Sequence, residues 1–301
     1  MQFQQTLKRN YSFEGKGLHT GKYAKMTVCP APENTGIVFV RTDIGQDATV
    51  AALAENVSNT TRSTTISQNG ASVSTIEHIL SALTGMGVDN ALIEIDNVEV
   101  PILDGSAKPY IDAIWADGFV QQNEPRQYIE IKETVEVVNE EVGSIVKIEP
   151  AEEFCYDIKV DFNSKVLGVQ HAIWDPSTVY AEDIGICRTF VFFHEIEFLF
   201  NNGLVKGGDV DNAIVIVEHP VTDQQISRMS ELFNIPALTV REDGYLSNLQ
   251  LRFPNECSRH KMLDLIGDLR LCGGFLKAKV TAEKAGHGIN TTAAKAVRAQ
   301  L

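Results

Sequence analysis

The chain has 301 residues, enough for two domains of ordinary size, with 44% hydrophobic and 22% charged residues, the balance of a folded cytosolic protein. A net charge of −14 excludes the basic face that nucleic acid needs, and no apolar run approaches the roughly 20 residues that span a bilayer. The opening Met1–Thr6 has no basic start, apolar core or small-residue cleavage site, so a cytoplasmic protein with no membrane-spanning segment is expected. Five cysteines at irregular spacings, with no CxxC pair, argue against a disulfide framework or thiolate zinc site and read as buried apolar residues.

In chain order, Lys25–Val28 and Ile37–Arg41 are short strand candidates separated by Pro30, Pro32 and Gly36. A Thr/Ser-rich stretch, 60–67, leads to Val73-Ser74-Thr75, which reads as a helix start. Ile76, Ile79, Leu80 and Leu83 then recur at helical spacing until Gly85 and Gly87. Ala91–Ile95 is a buried strand. Tyr110–Ala116 is an amphipathic helix behind Pro109. The polar Gln121–Pro125 marks a boundary, giving an N-terminal α+β domain, residues 1–124, and a C-terminal α+β domain, residues 125–301.

The second half begins with strict alternation at Tyr128–Lys132, Val135–Val138 and Ser144–Ile148, the pattern of half-buried antiparallel strands. Tyr156–Phe162, His171–Trp174 and Ala213–Val217 are further strands. A helix over Arg259–Leu271, then Gly273-Gly274, precedes a last strand at Phe275–Thr281 and a terminal helix over Thr291–Leu301. The stretch from His78 to Gly85 parallels that from His260 to Gly267. Each is a histidine-led helix, a glycine and a strand. The pair reads as a duplicated α+β unit with both histidines facing one cleft, where ligand sites tend to lie.

His260 and Asp264 are four apart, so they share a helical face and can grip one metal ion. A catalytic metal of this type takes three protein ligands and keeps one position for water. His78 is the natural third, and Glu77 beside it can lean over a metal-bound water as general base. His287, between glycines on what reads as a tight loop, is either a fourth ligand that closes the site or a general acid. Asp268 can miss the metal and pair with an imidazole, favouring its charged form. His194-Glu195 starts like a zinc-protease helix but lacks its second histidine; His171 and His219 read as structural. Two other readings compete with an enzyme: a binding protein with a closed, four-ligand structural zinc, and a metal-free module whose His260–Asp264 ladder is a solvated helix face.

Taken together, these residues resemble the zinc-dependent UDP-3-O-acyl-N-acetylglucosamine deacetylase family of lipid A synthesis, over essentially the whole chain. The likeness rests on Gly15-Lys16-Gly17-Leu18-His19-Thr20-Gly21, Ser74-Thr75-Ile76-Glu77-His78, the run from Glu99 to Ala107, Arg188-Thr189-Phe190, Gly207-Gly208, Asp211-Asn212-Ala213, the ladder and Gly286-His287-Gly288. It implies a two-domain sandwich of α+β units, each a mostly antiparallel sheet with two helices packed inward. It further implies Zn²⁺ on His78, His260 and Asp264, Glu77 as general base, His287 as general acid oriented by Asp268, and Thr189 as the oxyanion contact. Lys261 would stand near the substrate's phosphates or sugar, Lys284 near the nucleotide, and Phe162 against uracil. His19 would join the substrate-binding residues. The aromatic run from Phe190 to Phe200 falls where the family carries a βαβ insert enclosing the substrate's acyl chain, with Leu18, Phe190 and Leu204 beside it. The chain departs from the common form in a longer His78–His260 interval and in Val191, where glycine is frequent. The implied partners are an acylated UDP-sugar and, in some members, a fused hydroxyacyl dehydratase; a monomer is expected.

Overall fold

The computed structural model describes residues 2–45, 47–201, 206–209, 211–232 and 238–301; Leu204 lies outside them. Two sheets share one plan. The first runs Tyr11–Lys16, Tyr23–Pro30, Ala91–Ile95, Ile37–Arg41, Thr49–Ala51 in spatial order. The second runs Val135–Asn139, Ser144–Pro150, Phe275–Glu283, Cys155–Asp161, Val169–Trp174, with Tyr128–Glu130 added alongside Phe275–Glu283. In both, the strand that follows the buried helix enters the middle of the sheet. It pairs antiparallel with the unit's second strand and parallel with its third. Apart from Tyr128–Glu130, which runs parallel to Phe275–Glu283, the remaining neighbours in these sheets are antiparallel hairpins. The duplication read from two sequence anchors is therefore present in the five matching strands of each sheet.

The helices are α1 (Glu77–Gly85), α2 (Lys108–Ile114), α3 (Tyr180–Asp183), α4 (Phe193–Asn201), α5 (Asp223–Leu232), α6 (Glu256–Leu269) and α7 (His287–Arg298). Between its fourth strand and its buried helix, α1 or α6, each unit carries an insertion. In the first it is a three-stranded antiparallel sheet, Val57–Asn59, Thr65–Gln68 and Ala71–Ser74. In the second it is a parallel pair, Phe190–Phe192 with Ile214–Ile216, joined through α4, and it has its own apolar cluster around Phe193, Val215 and Leu246.

A helix buried on all sides is ordinarily apolar on all sides. α1 is buried but not apolar throughout: Ile79, Leu80, Ala82 and Leu83 are fully buried, and the polar Glu77, His78, Ser81 and Thr84 are buried with them. It packs on α6, and one continuous core joins both sheets and both helices. The contact is unusually close. A Cβ on Gly267 would stand 2.0 Å from the Glu77 carbonyl oxygen, and one on Gly85 would stand 2.2 Å from the Tyr180 ring. Gly267 lies inside α6, within the helix expected over Arg259–Leu271, as the point where α1 touches down.

Several boundaries differ from the sequence reading. Val73-Ser74-Thr75 does not start a helix: Ala71–Ser74 is a strand and Thr75 is left-handed at φ 58°, so α1 begins at Glu77. A β-branched residue rarely adopts that conformation; the Thr75 hydroxyl is held by Glu99 Oε1 at 2.9 Å. Gln121–Pro125 is no loose linker but part of the strand Phe119–Pro125, zipped antiparallel onto Phe3–Leu7. α6 starts a turn earlier than expected, at Glu256, whose carboxylate receives Arg188 and the Arg252 backbone N–H. His287 is not on a tight loop; it is the first residue of α7, and the space around a Gly286 Cβ is open. The cysteines are all free, with Cys155 half-buried and the other four buried.

Helix propensity alone favours alanine over glycine by about 1 kcal/mol. Overpacking against a backbone carbonyl costs about 1–3 kcal/mol or more. Gly267→Ala should therefore lower stability in urea denaturation by about 2 kcal/mol. A stabilised variant would mean that the helices are not in this contact.

Candidate metal centre

α1 and α6 bring three buried ligand groups together. His78 Nε2 lies 3.7 Å and His260 Nε2 3.4 Å from Asp264 Oδ1. The two imidazoles stand edge to face, with centroids 5.0 Å apart. The ligand atoms all lie within 4.8 Å of one another, and this is the one such group of three or more among the described residues. The His260 Nδ1–H donates to the Cys187 carbonyl oxygen at 3.0 Å, which leaves the Nε2 lone pair facing inward. Asp264 Oδ1 is buried with no hydrogen-bond donor, as expected of an oxygen whose partner is a cation. Burial pushes His78 down to about 3, reinforced by His260 and opposed by Asp264, so it is a neutral ligand. Burial alone would raise Asp264; Lys261 and the nearby imidazoles instead hold it below the usual carboxylate range. Neutral imidazoles and an ionised carboxylate form the donor set a divalent cation binds. A solvated helix face is excluded: His260, Asp264 and Asp268 are all buried.

Beside this group lies an acid–base pair. Burial pushes Glu77 up to about 7; Asp268 and Asp264 add to the rise and His287 opposes it. Burial would lower His287, but Asp268 and Glu77 together push it up to about 9. Its Nδ1 bonds Asp268 Oδ2 at 2.9 Å, and its Nε2 lies 3.9 Å from Glu77 Oε1. These carboxylates prevail even though a cation at the N-terminus of α7 opposes the helix dipole.

A cavity of about 260 Å³ opens over both groups. Glu77, His78, Thr189, His260, Asp264 and His287 line it, together with Leu18, His19, Phe162 and Phe190. Phe162 is exposed and meets Phe190 and Phe192 edge to face at 5.4 and 5.9 Å. Lys261 reaches the cavity, but its Nζ is bound to Asp264 Oδ2 at 2.6 Å rather than standing free. Lys284 does not line the cavity; its Nζ lies 3.4 Å from Asp161 Oδ2, next to Phe162. His171 is exposed and pairs with Asp157, and His194 and His219 stand 5.6 Å apart on the insertion. His171 and His219, both read as structural, are exposed.

The sequence reading missed four contributors. Thr64 donates its N–H to Glu77 Oε2 and its hydroxyl to Asp268 Oδ1. Asn290 donates to Asp268 Oδ2; its i+3 spacing from His287 was a usable signal. The Cys187 carbonyl orients His260. Glu99, fully buried, accepts from His19 N–H, from Thr20 N–H and hydroxyl, and from Thr75. A Cβ at residue 17 would collide with Glu99 Oε2 at 2.4 Å, so glycine there lets the His19 loop close on it.

The sequence model of the family described as "UDP-3-O-acyl N-acetylglycosamine deacetylase" matches residues 4–234 and 234–299. The chain belongs to this family. It is 42% identical over 301 residues to the protein named "Bifunctional enzyme LpxC/FabZ" of Porphyromonas gingivalis, covering 100% of this chain and 65% of that one. A protein of the same name from Bacteroides thetaiotaomicron is 40% identical over 298 residues, with 99% and 65% covered. The "UDP-3-O-acyl-N-acetylglucosamine deacetylase" of Saccharophagus degradans is 40% identical over 290 residues, with 95% and 87% covered. The chain thus spans about two-thirds of the length of the bifunctional relatives. Membership in the deacetylase family accords with a metal site at His78, His260 and Asp264. No helix among the described residues is long and apolar enough to cross a membrane.

Because the folded pKa of His287 lies above its unfolded value, its pairing adds stability that is full below about pH 6.5 and lost as pH rises through about 9. The shift corresponds to on the order of 3 kcal/mol. The stability gap between wild type and His287→Gln, read by urea denaturation, should shrink by that order between about pH 6 and about pH 10. A gap independent of pH would contradict the ion pair.

Proposed function

We propose that this chain hydrolyses the acetamide of a UDP-3-O-acyl-N-acetylglucosamine, releasing acetate, in the cytoplasm. The carrying observation is three convergent metal-ligand groups beside a buried carboxylate and a protonated imidazole, all lining one cavity. His78, His260 and Asp264 would hold a divalent ion, Zn²⁺ by the resemblance, leaving a position for water. Bound there, it would polarise the acetamide carbonyl and make that water acidic.

The chain's own groups supply the rest. Glu77, at about 7, takes a proton from the attacking water. Thr189, which lines the same cavity as the ligands, donates its hydroxyl to the carbonyl oxygen as charge develops. His287, at about 9, gives its Nε2 proton to the nitrogen as the C–N bond breaks. The outcome is acetic acid and a free amine. Asp268 holds His287 by Nδ1 and so aims Nε2 into the cavity. Leu18, Phe190 and Phe192 provide an apolar wall for the acyl chain, worth about 0.8 kcal/mol per buried methylene. The exposed Phe162, with Lys284 beside its neighbour Asp161, offers an edge for the nucleotide. Lys261 braces Asp264 and reaches the same cavity from which sugar and phosphates would approach. Every proposed group comes from one chain, so the site needs no second copy. A hydroxyacyl dehydratase fused to this unit, or acting beside it, is the partner we propose from the bifunctional relatives.

Glu77→Gln should retain the metal by elemental analysis and lose about 10²–10⁴ in kcat. Full activity with metal bound would remove Glu77 as the base. The wild-type profile of kcat/KM should rise through about 7 and fall through about 9, because Glu77 must be ionised and His287 protonated. A single-limbed profile over that range would contradict the pairing of roles.

A further inference from the structure

Asp268 is fully buried, and donors from both halves of the molecule hold its two oxygens. Oδ2 accepts from His287 Nδ1 and Asn290 Nδ2, each at 2.9 Å and each from α7. Oδ1 accepts from the Thr64 hydroxyl at 2.6 Å, a contact across 204 positions of sequence. The Thr64 backbone N–H in turn donates to Glu77 Oε2 at 3.0 Å. Its carbonyl oxygen accepts from Ile76 N–H at 3.4 Å, just before α1. Thr64 is itself fully buried, so every polar group it has is engaged and none meets solvent. Among the described residues it is the one hydrogen-bonded both to Glu77 and to Asp268, the carboxylate behind His287.

The arrangement distinguishes the two oxygens of Glu77. Oε2 is occupied by an N–H, which cannot accept a proton. Oε1 faces the cavity side, 3.9 Å from His287 Nε2. A buried carboxylate oxygen also keeps its charge more readily when it receives a donor, so the Thr64 hydroxyl supports Asp268 as the anion that His287 needs.

We propose that Thr64 is a positioning residue that couples the two proton-transfer groups: its N–H makes Glu77 Oε1 the oxygen that takes the water proton, and its hydroxyl holds Asp268 as the partner of a protonated His287. The proposal rests on the deacetylase reading above. Water gives one proton to Oε1 as its oxygen bonds the carbonyl carbon, and Nε2–H protonates the nitrogen as the C–N bond breaks. The proton on Oε1 then returns to Nε2 across the short gap between them, which restores both groups without an outside acid or base. The insertion of the first unit acquires a role: its strand Thr65–Gln68 begins immediately after Thr64.

The titratable groups around His287 are Asp268, Asp264 and His260 on α6, Glu77 and His78 on α1, and His19 on the Gly17–Gly21 loop. Of these, Thr64→Val alters only the hydroxyl contact to Asp268. In the metal-loaded enzyme it should lower kcat about tenfold, leave KM within about twofold, and move the basic limb of the kcat/KM profile down by about one pH unit. Thr64→Ala should move that limb the same way, and Thr64→Ser should return it to the wild-type position. NMR titration of the His287 ring should show the same displacement. A folded Thr64→Val or Thr64→Ala with the wild-type limb and the wild-type His287 titration would overturn the proposal. If the wild type shows no deacetylase activity, the activity reading fails; a displaced His287 titration would still support the Thr64–Asp268–His287 linkage, and an unmoved one would overturn it.

Discussion

The site depends on the touch of α1 on α6, where Gly267 leaves room for the Glu77 carbonyl. A side chain there would push the helices apart. The two imidazoles, one on each helix, would then no longer meet over Asp264. The contact also sets the direction of Glu77. Its backbone oxygen is pressed against α6 while its carboxylate reaches the opposite insertion at Thr64. The proposed metal ligands and general base are thus parts of one helix–helix interface, not of a preformed pocket in either half. The same interface lies within the continuous core, so forming the core and assembling the site are one event.

Such a core must hold many ionisable groups out of water, which is costly unless each is paired or neutral. The protein uses both solutions. His78 is kept neutral by burial, and His260 is lowered by burial as well. Lys261 pairs with Asp264, His287 with Asp268, and Arg188 binds Glu256 through two nitrogens. Asp264 Oδ1 alone among these carboxylate oxygens has no donor, and it points between the two ligand imidazoles. The electrostatic gap and the geometric centre of the ligand set coincide.

Much of this was legible in the sequence because its period matches its chemistry. An i,i+4 pair on a helix needs only the 3.6-residue repeat to be seen, so His260 and Asp264 could be read directly. The His78 and His260 anchors revealed the duplication, since each precedes the central strand of its sheet. Positions fixed by tertiary contact were not legible. Thr75 looks like a helix start until its left-handed backbone and its bond to Glu99 are seen. Gln121–Pro125 looks like a linker because a strand at the edge can be polar, and its partner, Phe3–Leu7, is over a hundred residues away in sequence. The role of Gly267 was hidden because the sequence carries no sign of what presses on it. Thr64 is one hydroxyl in a polar run, and only the fold places it between Glu77 and Asp268.

The most direct test is a crystal structure of the metal-loaded protein with anomalous diffraction collected at the metal edge. A single strong peak is expected between His78 Nε2, His260 Nε2 and the Asp264 carboxylate, with a water as the remaining ligand near Glu77. A peak completed by His287 would describe a closed structural site, and a peak away from these residues would remove the metal centre; either result contradicts the catalytic reading.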